Sequence, residues 1–283
     1  MKHAILITAY KDIESLVDLI EILGNGFNFY IHIDRKKKLN VDSLRRFENV
    51  EVCNTFKVNW GGLNHFLAIL ELSKQALKNK ENTFFHLITA EDFPIKSSKY
   101  ILDVDISKSY ISYFPFPKLT WDENGGTDRY SYYHFYDVFD AKTKVGGRSI
   151  HLIILLQKLF KFKRAELPVP QMFGGSTYWS VNKKALSYLI DNIDDKLLNR
   201  LKFTFCAEEY IFHSILLNSP LRDEICNTNL RYIDWHSKRM GDPAFLDESD
   251  FDILVDSNAL FARKIKKSPN SKLISLLKDH IKM

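Results

Sequence analysis

Cysteine is scarce: Cys53, Cys206 and Cys226 are the only three in 283 residues. Odd in number and far apart, they exclude a disulfide framework and a cysteine-based zinc site alike. Long apolar runs are missing too, since no segment approaches the roughly 18 consecutive apolar residues of a membrane span. The nine histidines hold no HExxH pairing, and there is no P-loop, dinucleotide glycine fingerprint or Gly-x-Ser-x-Gly elbow. Zinc hydrolysis, P-loop phosphoryl transfer, hydride transfer and α/β-hydrolase chemistry therefore lose their usual signatures. A net charge of +5 is too small to demand nucleic acid as a partner. Lys2 and His3 lead straight into Ala4-Ile5-Leu6-Ile7, too short for a secretory apolar region, so the expectation is a cytoplasmic protein without a leader.

What is present is the 45% hydrophobic and 27% charged balance of a globular chain with a sizeable core. Strand-like and helix-like patterns alternate: Ala4 to Thr8, Ile13 to Leu23, Phe27 to Ile33, Val50 to Val52, Leu63 to Leu77 and Phe84 to Ile88. Such alternation predicts an α/β fold with a mostly parallel central sheet flanked by helices, here as one domain over 1–283. A further strand is expected at Ser176 to Val181 and an amphipathic helix over 268–283. Between 102 and 171 the periodicity fades into aromatic and basic sequence, read as an irregular acceptor-side lid or membrane-facing insertion. Within it, Lys142, Lys144, Arg148, Lys158, Lys161, Lys163 and Arg164 meet no acid and surround the apolar run at Leu152 to Leu156. That is the composition of an interfacial helix on an anionic membrane, or of a helix packed on the domain with a basic outer face.

The stretch FFHLITAEDFPIKS, Phe84 to Ser97, ends an apolar strand in Glu91 and Asp92. In open α/β sheets ligands sit at the carboxyl ends of strands, so both acids are placed for a substrate, although Asp92 would equally serve as a helix cap. The strand FNFYIHI delivers Asp34 in the same way, where an acid can reach a ribose or a base edge. Glu208 and Glu209 precede the apolar face of Ile211, Phe212, Ile215 and Leu216. There they either complement a helix dipole or supply a general base. The D-x-D letters at Asp103 and Asp105 and at Asp250 and Asp252 arise too often by chance to mark a metal site. These acids, with the late basic clusters, fit a nucleotide-sugar transferase: a nucleotide pocket, positive charge for a departing diphosphate, and a carboxylate to deprotonate a hydroxyl.

His3-Ala-Ile-Leu-Ile-Thr-Ala-Tyr, Phe29-Tyr-Ile-His-Ile-Asp-Arg-Lys, Val58-Asn-Trp-Gly-Gly, TAEDFPIK, NLRYIDW and Phe261-Ala-Arg-Lys occur in this order along nearly the whole chain. Together they resemble the core-2/I-branching β-1,6-N-acetylglucosaminyltransferase family, which includes the peptide O-xylosyltransferases. The resemblance implies a GT-A-type fold, inversion at the anomeric carbon and a metal-independent mechanism with no cofactor. It implies Glu209 as catalytic base, with Glu208 as the alternative, and Lys264 and an Arg on the diphosphate. Arg239 is the first choice for that Arg and Arg231 the second. Thr8 and Asp34 would face the nucleotide, and Glu91, Asp92 and Trp235 the donor sugar and acceptor. The implied partners are a UDP-sugar and a glycan or lipid-linked oligosaccharide, in bacterial surface polysaccharide synthesis at the inner membrane face. N-acetylglucosamine is the first donor sugar; xylose, glucose and galactose are alternatives, as is a non-catalytic carbohydrate-binding module.

Overall fold

The computed structural model describes residues 1–11, 13–235, 243–266 and 271–282. In chain order, β1 (Lys2–Ala9), α1 (Ile13–Leu23), β2 (Phe27–Ile33), α2 (Asp42–Arg45), β3 (Val50–Cys53), α3 (Leu63–Lys78) and β4 (Asn82–Thr89) alternate as the pattern requires. Then come β5 (Phe93–Pro94), α4 (Ser98–Leu102), β6 (Ser109–Pro115), α5 (Asp128–Ser131), α6 (Lys144–Leu159) and β7 (Phe173–Asn182). The last third holds α7 (Lys183–Asp191), α8 (Asp195–Leu201), α9 (Ile211–Leu217), β8 (Ile225–Cys226), β9 (Arg231–Ile233), α10 (Phe251–Asp256), β10 (Phe261–Arg263) and α11 (Lys272–Lys282).

Seven strands form the main sheet in the order β3-β2-β1-β4-β7-β6-β8. Only β7 runs against its neighbours β4 and β6; the other pairs are parallel. Strands β1 and β2 are buried on both faces, which is why they read as apolar runs rather than alternations. Ala4 and Leu6 point into a cluster with Phe66, Ile69 and Leu72 of α3 and with α7 and α9. Ile5 and Ile7 point the other way, onto Leu16, Leu19, Ile20 and Leu23 of α1. On the first face Phe66 stacks on Phe212 with ring centres 4.8 Å apart.

The segment 102–171 holds more regular structure than its faded periodicity suggests: its helix falls where the basic, apolar stretch at 142–164 predicts one, and its strand is new. It supplies the sheet strand β6, whose sequence SYISYFP buries Ser109 and Ile111 while its tyrosines stay partly exposed. Aromatic and hydroxyl side chains thus masked a period of two. The same segment supplies α6, capped by Thr143 Oγ1, which accepts from Gly146 N.

A small second sheet, β5-β10-β9, pins the late chain against the end of β4. Phe261 pairs with Pro94 and with Arg231, and Ile265 N donates to Glu91 O at 3.0 Å. Between the sheets runs a buried polar chain. Arg231 Nη1 donates to Ser180 Oγ at 2.6 Å, Ser180 Oγ lies 2.8 Å from His86 Nδ1, and His86 Nε2 lies 3.2 Å from His3 Nδ1. With the guanidinium always donating, Ser180 can give its proton to His86 Nδ1, and His86 Nε2–H can then donate to His3, so both rings are satisfied while neutral. Burial accordingly pulls the His3 pKa down to about 4 and that of His86 well below its ordinary value.

Unfolding exposes these rings, which then bind protons that the native state refuses. Stability should therefore fall as pH drops below the unfolded pKa of about 6.5, by up to about 1.4 kcal/mol per pH unit for each such histidine. Urea midpoints measured across that range would check it, and a flat dependence would contradict it.

Candidate functional site

The register of the parallel strands assembles the site. Thr8 lies opposite His32 on β2 and Thr89 on β4, and beyond this row the chain turns out at Tyr10, Asp34 and Glu91. Asp34 is buried, and its Oδ1 accepts from the backbone N–H of Lys36 at 3.0 Å and of Val58 at 3.1 Å. Lys36 Nζ stands 3.8 Å from Asp34 Oδ2 and donates to Asn59 Oδ1 at 2.8 Å. The sequence places Asp34 at this edge, and the structure adds the ordered loop that fixes its carboxylate.

Glu91 and Asp92 part company. Tyr10 OH donates to Glu91 Oε1 at 3.2 Å and Lys11 Nζ lies 2.8 Å from it. Burial alone would raise the Glu91 pKa, but Lys11, Lys264 and Arg263 outweigh it and hold the carboxyl below its ordinary value. Glu91 is thus an anion among cations at the mouth of the strand ends. Asp92 corrects the expectation of a ligand-facing acid. It is fully buried, and its Oδ2 accepts from Thr89 N at 2.7 Å and Thr89 Oγ1 at 2.6 Å. Its job is to lock the turn after β4.

Arg231 is likewise structural, which corrects its place as second choice for the diphosphate. Its buried Nη2 donates to Leu87 O at 2.9 Å and Trp179 O at 3.0 Å, so it ties β9 to β4 and β7. Arg239 lies outside the described residues. Beside Lys264, the sequence reading passed over Arg263, whose guanidinium lies 3.9 Å from the centre of the Tyr178 ring and 3.7 Å from Asp92 Oδ2. Ile233 pairs with Arg263, so Trp235, 48% exposed, leaves the small sheet at the end where Lys264 follows.

Glu208 and Glu209 do not open an α-helix. They lie in a single 3-10 turn, Ala207–Glu209, entered through Cys206 in the left-handed conformation (φ 49°, ψ 55°) and separated from α9 by Tyr210. A non-glycine residue held there costs about 1–3 kcal/mol, so the turn needs support. Gly61, itself left-handed at φ +81°, supplies some of it: Gly61 O accepts from Cys206 N at 3.0 Å. The two carboxylates then diverge. Glu208 is buried, with Oε1 2.9 Å from His65 Nδ1, while His65 Nε2 lies 3.2 Å from Thr8 Oγ1. This chain joins the turn to the end of β1. Glu209 Oε2 accepts from Arg129 Nη1 at 2.6 Å. Arg129 also pairs with Asp122 and lies between the rings of Trp121, at 4.0 Å, and Phe205, at 4.9 Å.

Glu209 keeps 30% of its side-chain surface open. Its pKa is nonetheless pushed up to about 7, first by burial of the carboxyl and then by the charge of Glu208, against the downward pull of Arg129. A carboxylate with that pKa accepts and releases protons near neutrality. Its partner Arg129 lines a cavity of about 460 Å³ together with Asp122, Tyr136, Phe205 and the α6 residues His151, Leu155 and Lys158. A larger depression, about 710 Å³, lies at the opposite end of the sheet among Lys2, Asn28, Arg46 and Asn79, away from every group just described. Asp103 and Asp105 also fall at that amino end, just ahead of β6, where Asp105 Oδ1 accepts from Ser107 N and Oγ. His65, Arg129, Tyr10 and Lys11 were not singled out from the sequence.

A mostly parallel sheet carries a row of acids and cations at its carboxyl edge, and a carboxyl with a pKa near neutrality lies on the turn that Glu208 and His65 tie to the end of β1. The family model described as Core-2/I-Branching enzyme matches residues 3–254, and the chain belongs to that family. It is similar to Xylosyltransferase 2 of Rattus norvegicus, 23% identical over 282 residues, which cover 89% of this chain and 30% of that protein. It is also similar to Xylosyltransferase 1 of Mus musculus, 24% identical over 228 residues, covering 74% of this chain and 21% of the relative. The chain thus spans less than a third of the length of these curated relatives.

The electrostatics make a direct prediction. A carboxyl carbon of Glu209 should titrate near pH 7 in a ¹³C NMR experiment, and replacing Arg129 by Met should move the midpoint higher, because the counter-charge is gone. A wild-type midpoint at the ordinary glutamate value of about 4.3 would contradict the geometry.

Proposed function

We propose that this protein is an inverting glycosyltransferase that moves a sugar from a UDP-sugar to a hydroxyl of a glycan acceptor. The observation that carries the reading is Glu209, a partly exposed carboxyl raised to about 7, with one oxygen held by an Arg129 that itself lines a cavity of about 460 Å³. In this mechanism Glu209 Oε1 takes the acceptor hydroxyl proton as that oxygen bonds to the anomeric carbon. The carbon–oxygen bond to the diphosphate breaks on the opposite face, and UDP leaves with the electron pair. Charge developing on the leaving oxygen needs a preorganised cation. Lys264 is assigned this role, with Arg263 next to it; Asp34 and Thr8 are assigned to the nucleotide side, and Glu91 and Trp235 to the sugars. The cation row at the strand ends, together with the position of Asp103 and Asp105 at the far end of the sheet, supports a metal-independent mechanism.

The first donor is UDP-N-acetylglucosamine, and the relatives' name makes UDP-xylose the second, with the glucose and galactose donors completing the panel. The acceptor is read as a glycan of bacterial surface polysaccharide, free or lipid-linked.

Calorimetric titration with UDP and these UDP-sugars, in EDTA and then with manganese, tests the donor assignment. Tight binding that EDTA leaves unchanged is expected. Failure of every uridine nucleotide to bind would overturn the transferase reading in favour of a carbohydrate-binding module, and strict dependence on manganese would overturn the cation mechanism.

Glu209→Gln should lower turnover by about 10²–10⁴-fold while leaving UDP affinity nearly unchanged, because the lost group acts in the transition state. The wild-type rate should rise with pH through about 7, since only the ionised carboxylate can accept a proton. Lys264→Ala should instead weaken UDP binding by about tenfold, the worth of one charge-assisted hydrogen bond. Equal losses of turnover and UDP affinity in the Glu209 variant would remove it as the base.

A further inference from the structure

Helix α6 is built inside out. Its inner side is anchored: Gly146 and Ile150 are buried, and Gln157 bonds both ways with the backbone of Tyr133, accepting from its N–H at 2.8 Å and donating to its C=O at 3.0 Å. Its outer side carries Val145, Leu152, Leu156 and Leu159, which at 3.6 residues per turn fall in one stripe. Leu152 is 54%, Leu159 70% and the following Phe160 76% exposed. Globular helices turn such residues inward. The stripe is flanked by Lys144 and Arg148 at one end and by Lys161 and Lys163 at the other, all exposed. No acid lies between 142 and 164.

We propose that this face of α6 docks on an anionic lipid bilayer, lying in the headgroup plane without crossing it. No helix among the described residues is long and apolar enough to span a membrane, whereas a short apolar stripe framed by basic side chains suits the interface, where leucine and phenylalanine enter the acyl boundary and lysines meet phosphates. A second copy of the chain fits worse: a two-fold contact would set Arg148, Lys161 and Lys163 against a surface carrying the same charges. The opposite flank of the stripe gives the docking a purpose. Leu155 belongs to the exposed apolar surface and also lines the cavity with Arg129, so the cavity opens beside the bilayer plane. Resting on the transferase reading, that placement makes the acceptor a glycan carried on a lipid, delivered along the membrane to the cavity lined by Arg129, the partner of Glu209.

Flotation with vesicles tests it. The full chain should float with phosphatidylcholine vesicles containing phosphatidylglycerol, stay behind with phosphatidylcholine alone, and be released by high salt. Leu152→Glu with Leu159→Glu, neither of which lines the cavity, should cut the bound fraction by about tenfold. Its melting temperature and UDP affinity should remain those of the wild type. Lys161→Glu with Lys163→Glu should act in the same direction through charge alone. Failure of the wild type to float, or flotation unaffected by both variants, would overturn the proposal. So would a dimer in analytical ultracentrifugation that the leucine variant dissolves, which would put a second copy on this face. Flotation without any uridine-nucleotide binding would leave the membrane surface standing and remove the transferase reading alone.

Discussion

Two glutamates in one tight turn repel each other, and neither can be left ionised and unpaired beside an apolar core. The chain resolves this by giving each its own partner from a distant segment: Arg129 for Glu209 and His65 for Glu208. Much of the site's architecture follows from that pairing. Arg129 can be buried only because Asp122 shares its charge and Trp121 and Phe205 cover its faces, so the stretch after β6 must fold down onto the turn. His65 reaches Glu208 only because α3 starts close by, and Asp137 secures that start by accepting from Leu63 N at 2.8 Å and Asn64 N at 3.2 Å. Gly62 has no room for a side chain there, since a Cβ would come within 2.2 Å of Asp137 Oδ1. Proton affinity at Glu209 and packing of the insertion are therefore one problem with one solution.

The sheet provides the other half of the site. Parallel strands in near-perfect register deliver their exits at one level, which is why Tyr10, Asp34 and Glu91 converge without a dedicated binding loop. The small sheet then brings the carboxyl end of β10 to Glu91, adding Arg263 and Lys264 to the same edge. The two kinds of charge are thereby kept apart: cations of the late chain gather beside Glu91, and the tuned carboxyl of Glu209 sits on the turn with Arg129.

Much of this was legible in the letters, for physical reasons. Strands β1, β2 and β4 are covered on both faces and read as apolar runs, and α1 and α3 keep a helical period against them. An acid that ends such a run, as Asp34 and Glu91 do, is placed by the sheet itself. Asp92 shows the limit: adjacent carboxylates look alike in sequence, yet one faces Lys11 and the other is spent on Thr89 in the core. Arg231 shows it again, as a cation consumed by backbone carbonyls. Arg129 and His65 were invisible because their meaning is a contact across 80 and 143 positions respectively, which no local pattern encodes. Strand β6 was hidden by its tyrosines, whose polar tips blur the alternation on which strand recognition depends.

The most direct test of the account is a crystal structure of the protein with UDP bound. The diphosphate should lie within hydrogen-bonding distance of Lys264, with the nucleoside against the loop that holds Asp34 and with the Glu209 carboxyl facing the space where the donor sugar would sit. UDP seated at the opposite end of the sheet, or with its diphosphate away from Lys264, would contradict the assignment of the site.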